Sequence, residues 1–450
     1  MNRLGTLWES LRSSLWFVPA LIVAASVGLA ILLVDLESMR DWSSLADRWP
    51  MLFGGGADAC RGLLAAIASS MITVAGVTFS ITVVAMTLAS SQYTSRILRN
   101  FMRDRANQAV LGVFVGVFAY CLVVLRSIRS ESEGRFVPGF AVLGALLLAF
   151  VAIGFLIFFI HYIASSIQAT SIIRSASNET LEAVDRLFPD SVGTVTVDSI
   201  ESEDEADSPD VVWSAVLADN TGYIQGVDAR ALLQLAQARD VIIRMEKGIG
   251  EFVVEDTPLA SVAGGQIDAK GSATLNAAYT LGRYRTIAQD AGFGIRQIVD
   301  IALKALSPGV NDTTTAIYCI DYLEAILARL ATRRIEVPYR GLDAADLRLI
   351  TRGQAFPSLL AESFDEIRRS AEGNVVVLMR MLAVLGVLAG LTTTERRRRA
   401  IAEQADWISE ATARSVPSAH DRSAIEKARE HVATQLVSAA AKRTPAAEAN

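Results

Sequence analysis

Small hydroxyl side chains recur along one apolar stretch. Ser70, Thr73, Ser80, Thr87 and Ser91, with Val77 and Val84 between them, fall at heptad a/d spacing and share one face of a helix. The run that carries them, Cys60 to Ser91, is long and apolar enough to cross a bilayer. Hydroxyls in hydrocarbon need partners, which can be carbonyls of the preceding turn, a closely packed neighbouring helix, or water. The stripe therefore has two readings, helix packing and the lining of a pore or hydrated cavity. Arg96, Arg99 and Arg103 follow directly. At the mouth of such a path their guanidinium groups favour anions.

A second set of polar residues comprises Arg285, Gln289, Asp290, Asp300, Ser307, Asn311 and Asp312. Gln289-Asp290 precedes the turn Gly292-Phe293-Gly294, and Ser307 to Asp312 forms the next turn. The two groups thus lie at opposite ends of one helix and are not expected to converge within one subunit. One reading is capping plus ion pairs that hold a helical hairpin. The other is an anion or ligand site at a helix N-terminus, with Arg283 or Arg285 supplied by another element or subunit. No nucleophile–base pair, P-loop, dinucleotide fingerprint or His-carboxylate set is present, so the chain is not expected to be an enzyme. Cys60, Cys121 and Cys319 are isolated and His161, His420 and His431 scattered. No disulfide framework, metal site or cofactor is expected. His161, at the end of an apolar run, reads as an interfacial anchor more readily than as a pH sensor.

The elements that must position these residues begin with a membrane part. Of 450 residues 52% are apolar, and the apolar ones concentrate in the first 170. Four runs reach spanning length, at about 16–36, 60–91, 109–128 and 138–163. Only helices and closed barrels satisfy the backbone in lipid, so each run is a helix candidate. The loop after the second span carries Arg96, Arg99, Arg103 and Arg105, whereas Asp35 to Asp58 holds five acids against Arg40 and Arg48. The arginine-rich loop is therefore placed in the cytoplasm, and with it the N-terminus and everything after the fourth span. The first span is too long for a signal peptide and lacks a small-x-small cleavage site. Nothing breaks the second span through SQYTSRILRNFMRDR, which predicts one helix of about 60 Å running into the cytoplasm. Gly112 and Gly116 form a GxxxG pair, and Gly144 and Gly154 notch the fourth span, favouring close helix contacts within or between subunits.

After a helical connector over 171–191, the segment 199–210 holds six acids and no base and reads as a mobile loop. Short β-like runs follow, VVWSAVLA, GYIQGV, DVIIRME and EFVVEDTPLASV, with a short helix beginning at Asp228. They predict a small β-rich domain over 192–270. A helical domain over 271–438 comes next. In it Ile295, Ile298, Val299, Ala302, Ala305 and Leu306 form one apolar face, and Ala316, Ile320, Leu323, Leu327 and Leu330 another, with Asn311 or Asp312 as cap between them. The run Val375 to Leu391 is short for a span and contains Arg380, so a buried helix of the soluble bundle is expected. Arg396 to Arg399 reads as a solvated helix face or a lipid-headgroup contact, and 439–450 as a disordered tail. No basic block suggests nucleic-acid binding.

Three segments, TFSITVVAMTLASSQYTSRILRNF, GYIQGVDARALLQLA with EFVVEDTPLA, and RTIAQDAGFGIRQIVDIALKALSPGVNDTTTA, combine in one order. Together they resemble the bacterial domain-of-unknown-function 2254 family of predicted integral membrane proteins. The likeness covers roughly residues 8 to 390; Thr313 stands where that family commonly has proline. It implies four spans followed by a cytoplasmic part and no established activity. The expected architecture is an α-helical membrane protein with four transmembrane helices and a cytoplasmic α+β region, a small β-rich domain followed by a helical bundle. The expected function is an oligomeric inner-membrane pore or transport protein for small ions, its partners the lipid bilayer, further copies of itself and an unidentified small anion or protein. The alternative is a membrane-anchored sensor or scaffold.

Overall fold

The computed structural model describes residues 16–39, 56–92, 104–129, 136–166, 168–188, 212–333, 335, 339–341, 347–392 and 394–441. The chain divides into two compact units, Met1–Ile172 and Ile173–Asn450. The first unit contains four apolar helices long enough to span a membrane. They are α1 (Phe17–Ser38), α2 (Ala57–Gln92), α3 (Arg105–Ser127) and α4 (Gly139–Ser166). The single helix expected to run on through 93–105 falls largely on residues outside the described ones; the 36 residues of α2 measure about 54 Å at the helical rise per residue.

Helix α3 is the centre of this unit, packed against the other three. Two glycines explain its approach to α1. A Cβ at Gly112 would sit 2.7 Å from Ile22 Cδ1 and 3.0 Å from Pro19 Cα, and one at Gly116 would sit 2.7 Å from Ser26 Oγ. The GxxxG pair thus serves a contact inside one chain, where the absence of side chains lets backbones close in. On the other side the Tyr120 hydroxyl donates to Ala141 O at 2.8 Å and lies over Gly144, while Gly154 faces open space.

The second unit begins with most of α5 (Ala169–Leu187), where the connector was expected. A strand-containing region follows: β1 (Ser214–Leu217), β2 (Gly222–Val227), α6 (Ala229–Arg239), β3 (Ile242–Met245), β4 (Phe252–Val253), β5 (Pro258–Ala263), α7 (Ala269–Ala277) and β6 (Tyr279–Gly282). The predicted runs hold β1 to β5, and Asp228 caps α6 by accepting from Ala231 N at 3.1 Å. The expected boundary at 270 is not where the sheets end. β6 pairs with β2 in a three-stranded sheet ordered β4-β2-β6. Two further strands, β7 (Tyr339–Gly341) and β8 (Leu347–Ile350), extend the order β1-β5-β3-β8-β7, with β8 parallel to β3. Strands of three or four residues are too short to show alternation, and the partner of β8 lies about a hundred residues away in sequence, so neither signal is local.

The helical part comprises α8 (Ala291–Leu306), α9 (Thr313–Thr332), α10 (Phe356–Ser370), α11 (Val375–Leu391), α12 (Glu395–Ser415) and α13 (Ala419–Ala441). Ile295, Ile298, Val299, Ala302 and Ala305 of α8 and Ala316, Ile320, Leu323, Leu327 and Leu330 of α9 are buried, giving the expected hairpin. α11 packs against α9, α12 and α13 inside this unit. Its Arg380 is ion-paired with Asp321 at 2.6 Å and with Glu324. α13 continues to Ala441, past the expected start of the tail at 439, and 442–450 and the acidic segment 199–210 lie outside the described residues.

Replacing Gly112 by valine forces a branched side chain against Ile22 and the Pro19 backbone. Overpacking of this kind costs about 1–3 kcal/mol. Gly112→Val is expected to unfold at lower SDS fraction than wild type and Gly154→Ala at an unchanged or higher one, read by SDS titration of the purified protein in mixed micelles.

Candidate functional site

The first candidate is the hydroxyl face of α2. On its packed side, Leu64, Ile67, Ala68, Met71, Ala75, Thr78, Thr82 and Ala85 are buried. The side bearing Ser70, Thr73, Val77, Ser80, Val84 and Thr87 is exposed among the described residues. The hydroxyls of Ser70, Thr73 and Thr87 donate to Ala66 O, Ser69 O and Val83 O at 2.8, 2.8 and 2.9 Å. Ser91 lies in α2 with its side chain outside the described residues, as are Arg96, Arg99 and Arg103.

The buried side of α2 holds a polar cluster that the sequence reading passed over. Thr82 Oγ1 lies 2.9 Å from Thr78 O and 3.1 Å from Asn107 Oδ1, so its single proton is shared between two acceptors. Asn107 and Gln108 are buried in the first turn of α3 and, with Thr78 and Thr82, line a cavity of about 30 Å³ whose other walls are apolar. A third span beginning at Ala109 excludes both amides, whereas α3 begins at Arg105. Asp104 caps α3 by accepting from Ala106 N at 3.0 Å, and Tyr162 near the end of α4 donates its hydroxyl to the same carboxylate.

The second candidate is the N-terminus of α8. Asp290 is 1% exposed and accepts from Phe293 N at 3.0 Å as the helix cap. Its carboxylate also receives Arg285 Nε at 2.8 Å and Nη2 at 3.2 Å, and Gln354 Nε2 at 2.9 Å. Gln354 in turn accepts from Gly292 N at 2.9 Å, and Gln289 accepts from Val227 N of β2 at 3.2 Å. Gly250, at φ +86°, passes so close that a Cβ there would overlap the Asp290 carboxylate, and a Cβ on Gly294 would overlap Thr180 of α5. Segments from α5, β2, the turn after β3, the stretch after β6 and the stretch after β8 thus meet at one helix start. Arg285 belongs to the same chain as Asp290 and is bonded to it.

The remaining motif residues serve the same hairpin. Arg296 Nε donates to Asp300 at 2.7 Å, and its terminal nitrogens reach both oxygens of Glu366 on α10. The side-chain bonds from Arg296 hold the Glu366 carboxyl below its ordinary value. Ser307 closes α8 by donating to Lys304 O at 2.7 Å, and Asn311 adopts φ +49° in the turn. Asp312 caps α9, accepting from Thr315 Oγ1 at 2.6 Å and Thr315 N at 3.0 Å, bonds that hold its carboxyl below the usual range. The two groups stand at opposite ends of α8, and among the described residues no set of three or more His, Cys, Asp or Glu side chains could hold a metal ion. The arginine run needs one correction. Arg397 is buried, not part of a solvated face, and donates to Ala331 O at 2.8 Å and Arg333 O at 3.0 Å, satisfying carbonyls at the end of α9.

Comparison with known proteins places residues 12–386 within the match to a family described as predicted membrane protein (DUF2254). Uncharacterized proteins of Mycobacterium bovis and Mycobacterium tuberculosis are each 32% identical to this chain over 432 residues, covering 94% of it and 81% of the relative. No solved structure gives a significant match.

Asp290→Ala removes a cap and strands Arg285, whose side chain is 24% exposed against 1% for its partner. With that partial exposure discounted, the loss is expected to be about 2–3 kcal/mol, and Asp290→Asn, which keeps the cap, is expected to lose less. Pulse proteolysis in a urea series on the full-length protein in detergent ranks the two variants.

Proposed function

The chain belongs to the DUF2254 family of predicted membrane proteins, and from that premise we propose that it is an oligomeric inner-membrane protein that passes small ions along its second spans. The observation that supports this reading is the outward hydroxyl face of α2. Among the described residues of the first unit the stripe is exposed, and α3 fills the middle of the four helices. A conducting path would therefore be built between copies, with α2 helices around an axis and Ser70, Thr73, Ser80, Thr87 and Ser91 presented to it. Rings of hydroxyls replace part of an ion's hydration without a fixed charge, which gives weak selectivity. Arg96, Arg99 and Arg103 at the cytoplasmic mouth would then bias the path toward anions. In this arrangement the N-terminus and the second unit are cytoplasmic, as the arginine distribution favours, and the second unit regulates flux. The reading involves no catalytic chemistry.

A specific feature favours the alternative, a sensor or scaffold without transport. The Ser70, Thr73 and Thr87 hydroxyls are already bonded to carbonyls of their own helix. Such a face can pack dry against a second copy, because small side chains let helices approach and these three hydroxyl donors already have acceptors.

Ser80→Leu separates the two. In liposomes containing the purified protein, a conducting stripe predicts chloride flux in wild type that falls at least about tenfold in Ser80→Leu with the oligomer intact. A packing stripe predicts a changed oligomer mass with no wild-type flux to lose, and that outcome rejects the transport reading.

A further inference from the structure

The polar pocket between α2 and the start of α3 does not balance its own hydrogen bonds. It measures about 30 Å³, and Thr78, Thr82, Asn107 and Gln108 line it beside Phe79 and Leu111. Thr78, Thr82 and Asn107 are buried, so each must find its partners inside. Thr82 Oγ1 stands 2.9 Å from Thr78 O and 3.1 Å from Asn107 Oδ1, with one proton for the two acceptors. Among the described residues neither the Asn107 amide nitrogen nor the Thr78 hydroxyl forms a hydrogen bond. Turned the other way, the amide donates to Thr82 Oγ1, the hydroxyl proton goes to Thr78 O, and the amide oxygen is the atom left over. Either arrangement sets one amide end and one hydroxyl beside the same small space.

We propose that this pocket is a binding site for a single water molecule that bridges α2 to α3. A buried water needs about 10–15 Å³ and about two to four polar partners, and the pocket supplies both. With two protons and two lone pairs, the water pairs with either end of the Asn107 amide and with the Thr78 hydroxyl in either direction. A cation fits less well, because the lining side chains are neutral and a buried charge is costly without a carboxylate to pair with. Asp104 caps α3 and Arg105 begins it, so the site lies near a charged end of the span and not at its centre. The bridge fixes the rotation of α2 against α3, which keeps the face with Ser70, Thr73, Ser80 and Thr87 turned outward. It therefore serves conduction and packing by that face alike.

Two measurements on the full-length protein test the site. In a density map of wild type that resolves ordered water, a peak is expected within hydrogen-bond distance of both Thr78 Oγ1 and the Asn107 amide. In SDS titration, Thr78→Val exchanges the hydroxyl for a methyl group of nearly the same volume. With a water anchored there, the variant removes one of its partners, and the unfolding equilibrium constant is expected to rise at least about threefold. Without one, a buried hydroxyl that lacks a partner gives way to an apolar group, and the protein is unchanged or more stable. The map needs no variant and decides the matter even if Thr78→Val misfolds. A map with no peak in the pocket, or a Thr78→Val protein at least as stable as wild type, overturns the proposal.

Discussion

The second unit depends on the burial of one charge. A carboxylate that is 1% exposed cannot stay ionised without partners, and Asp290 finds them on three stretches of chain. The helix start supplies a backbone N–H, the stretch after β6 supplies Arg285, and the stretch after β8 supplies Gln354. A helix cap is ordinarily a local device worth about 1 kcal/mol. Here it is also one of the points at which the strand-containing region and the helical bundle meet, so removing the carboxylate disturbs both. The glycines around it follow from the same constraint. Gly250 and Gly292 lack side chains because the space a Cβ would take is filled by Asp290 and Gln354.

Much of this was legible in the sequence, and the reason is periodicity. Faces of α8 and α9 repeat every three to four residues within one helix, so Ile295 to Ala305 and Ala316 to Leu330 could be assigned to a core without knowing what they meet. Caps are equally local, as Asp228 and Asp312 show. The partners of these elements are another matter. Arg285 and Asp290 are five apart with a turn between them, a spacing that no helix or strand pattern marks, and whether Arg285 reached Asp290 from its own chain was open. β8 beside β3 is a pairing decided by packing over long sequence distance. Arg397 looked like one charge among four on a helix surface, and only the end of α9 explains why that one is buried.

In the membrane unit the stripe was legible as residue types and not as surroundings. Lipid offers no hydrophobic reward for burying a helix face, so apolar character cannot tell which side of α2 turns inward. The inward side proves to be the one with Thr78 and Thr82, bonded across to Asn107, and the more regular hydroxyl row turns outward. Four consecutive-looking apolar runs therefore conceal a division of labour. One polar face of α2 bonds to Asn107 at the start of α3, and the other is exposed among the described residues.

The two halves of the molecule are joined covalently where α4 is followed by α5, and α5 is held by more than apolar contact. Asp185 receives Arg329 at 3.1 Å and Arg333 at 2.7 Å, and the Arg333 carbonyl is in turn taken by Arg397. Thr180 rests on Gly294, one turn from the Asp290 cap. Together with buried Ile173, Ala176, Ala183 and Val184, these contacts hold α5 within the second unit. Any influence on α5 is bounded in size. A ligand or proton can shift α5 only by the difference in its interaction free energy between the two arrangements, and the exposed part of the Asp185 pairing contributes little to such a difference. The close Gly294–Thr180 approach is the stiffer of the two, since a packed contact with no room for a methyl group responds to a sub-ångström displacement where a solvated ion pair would absorb it.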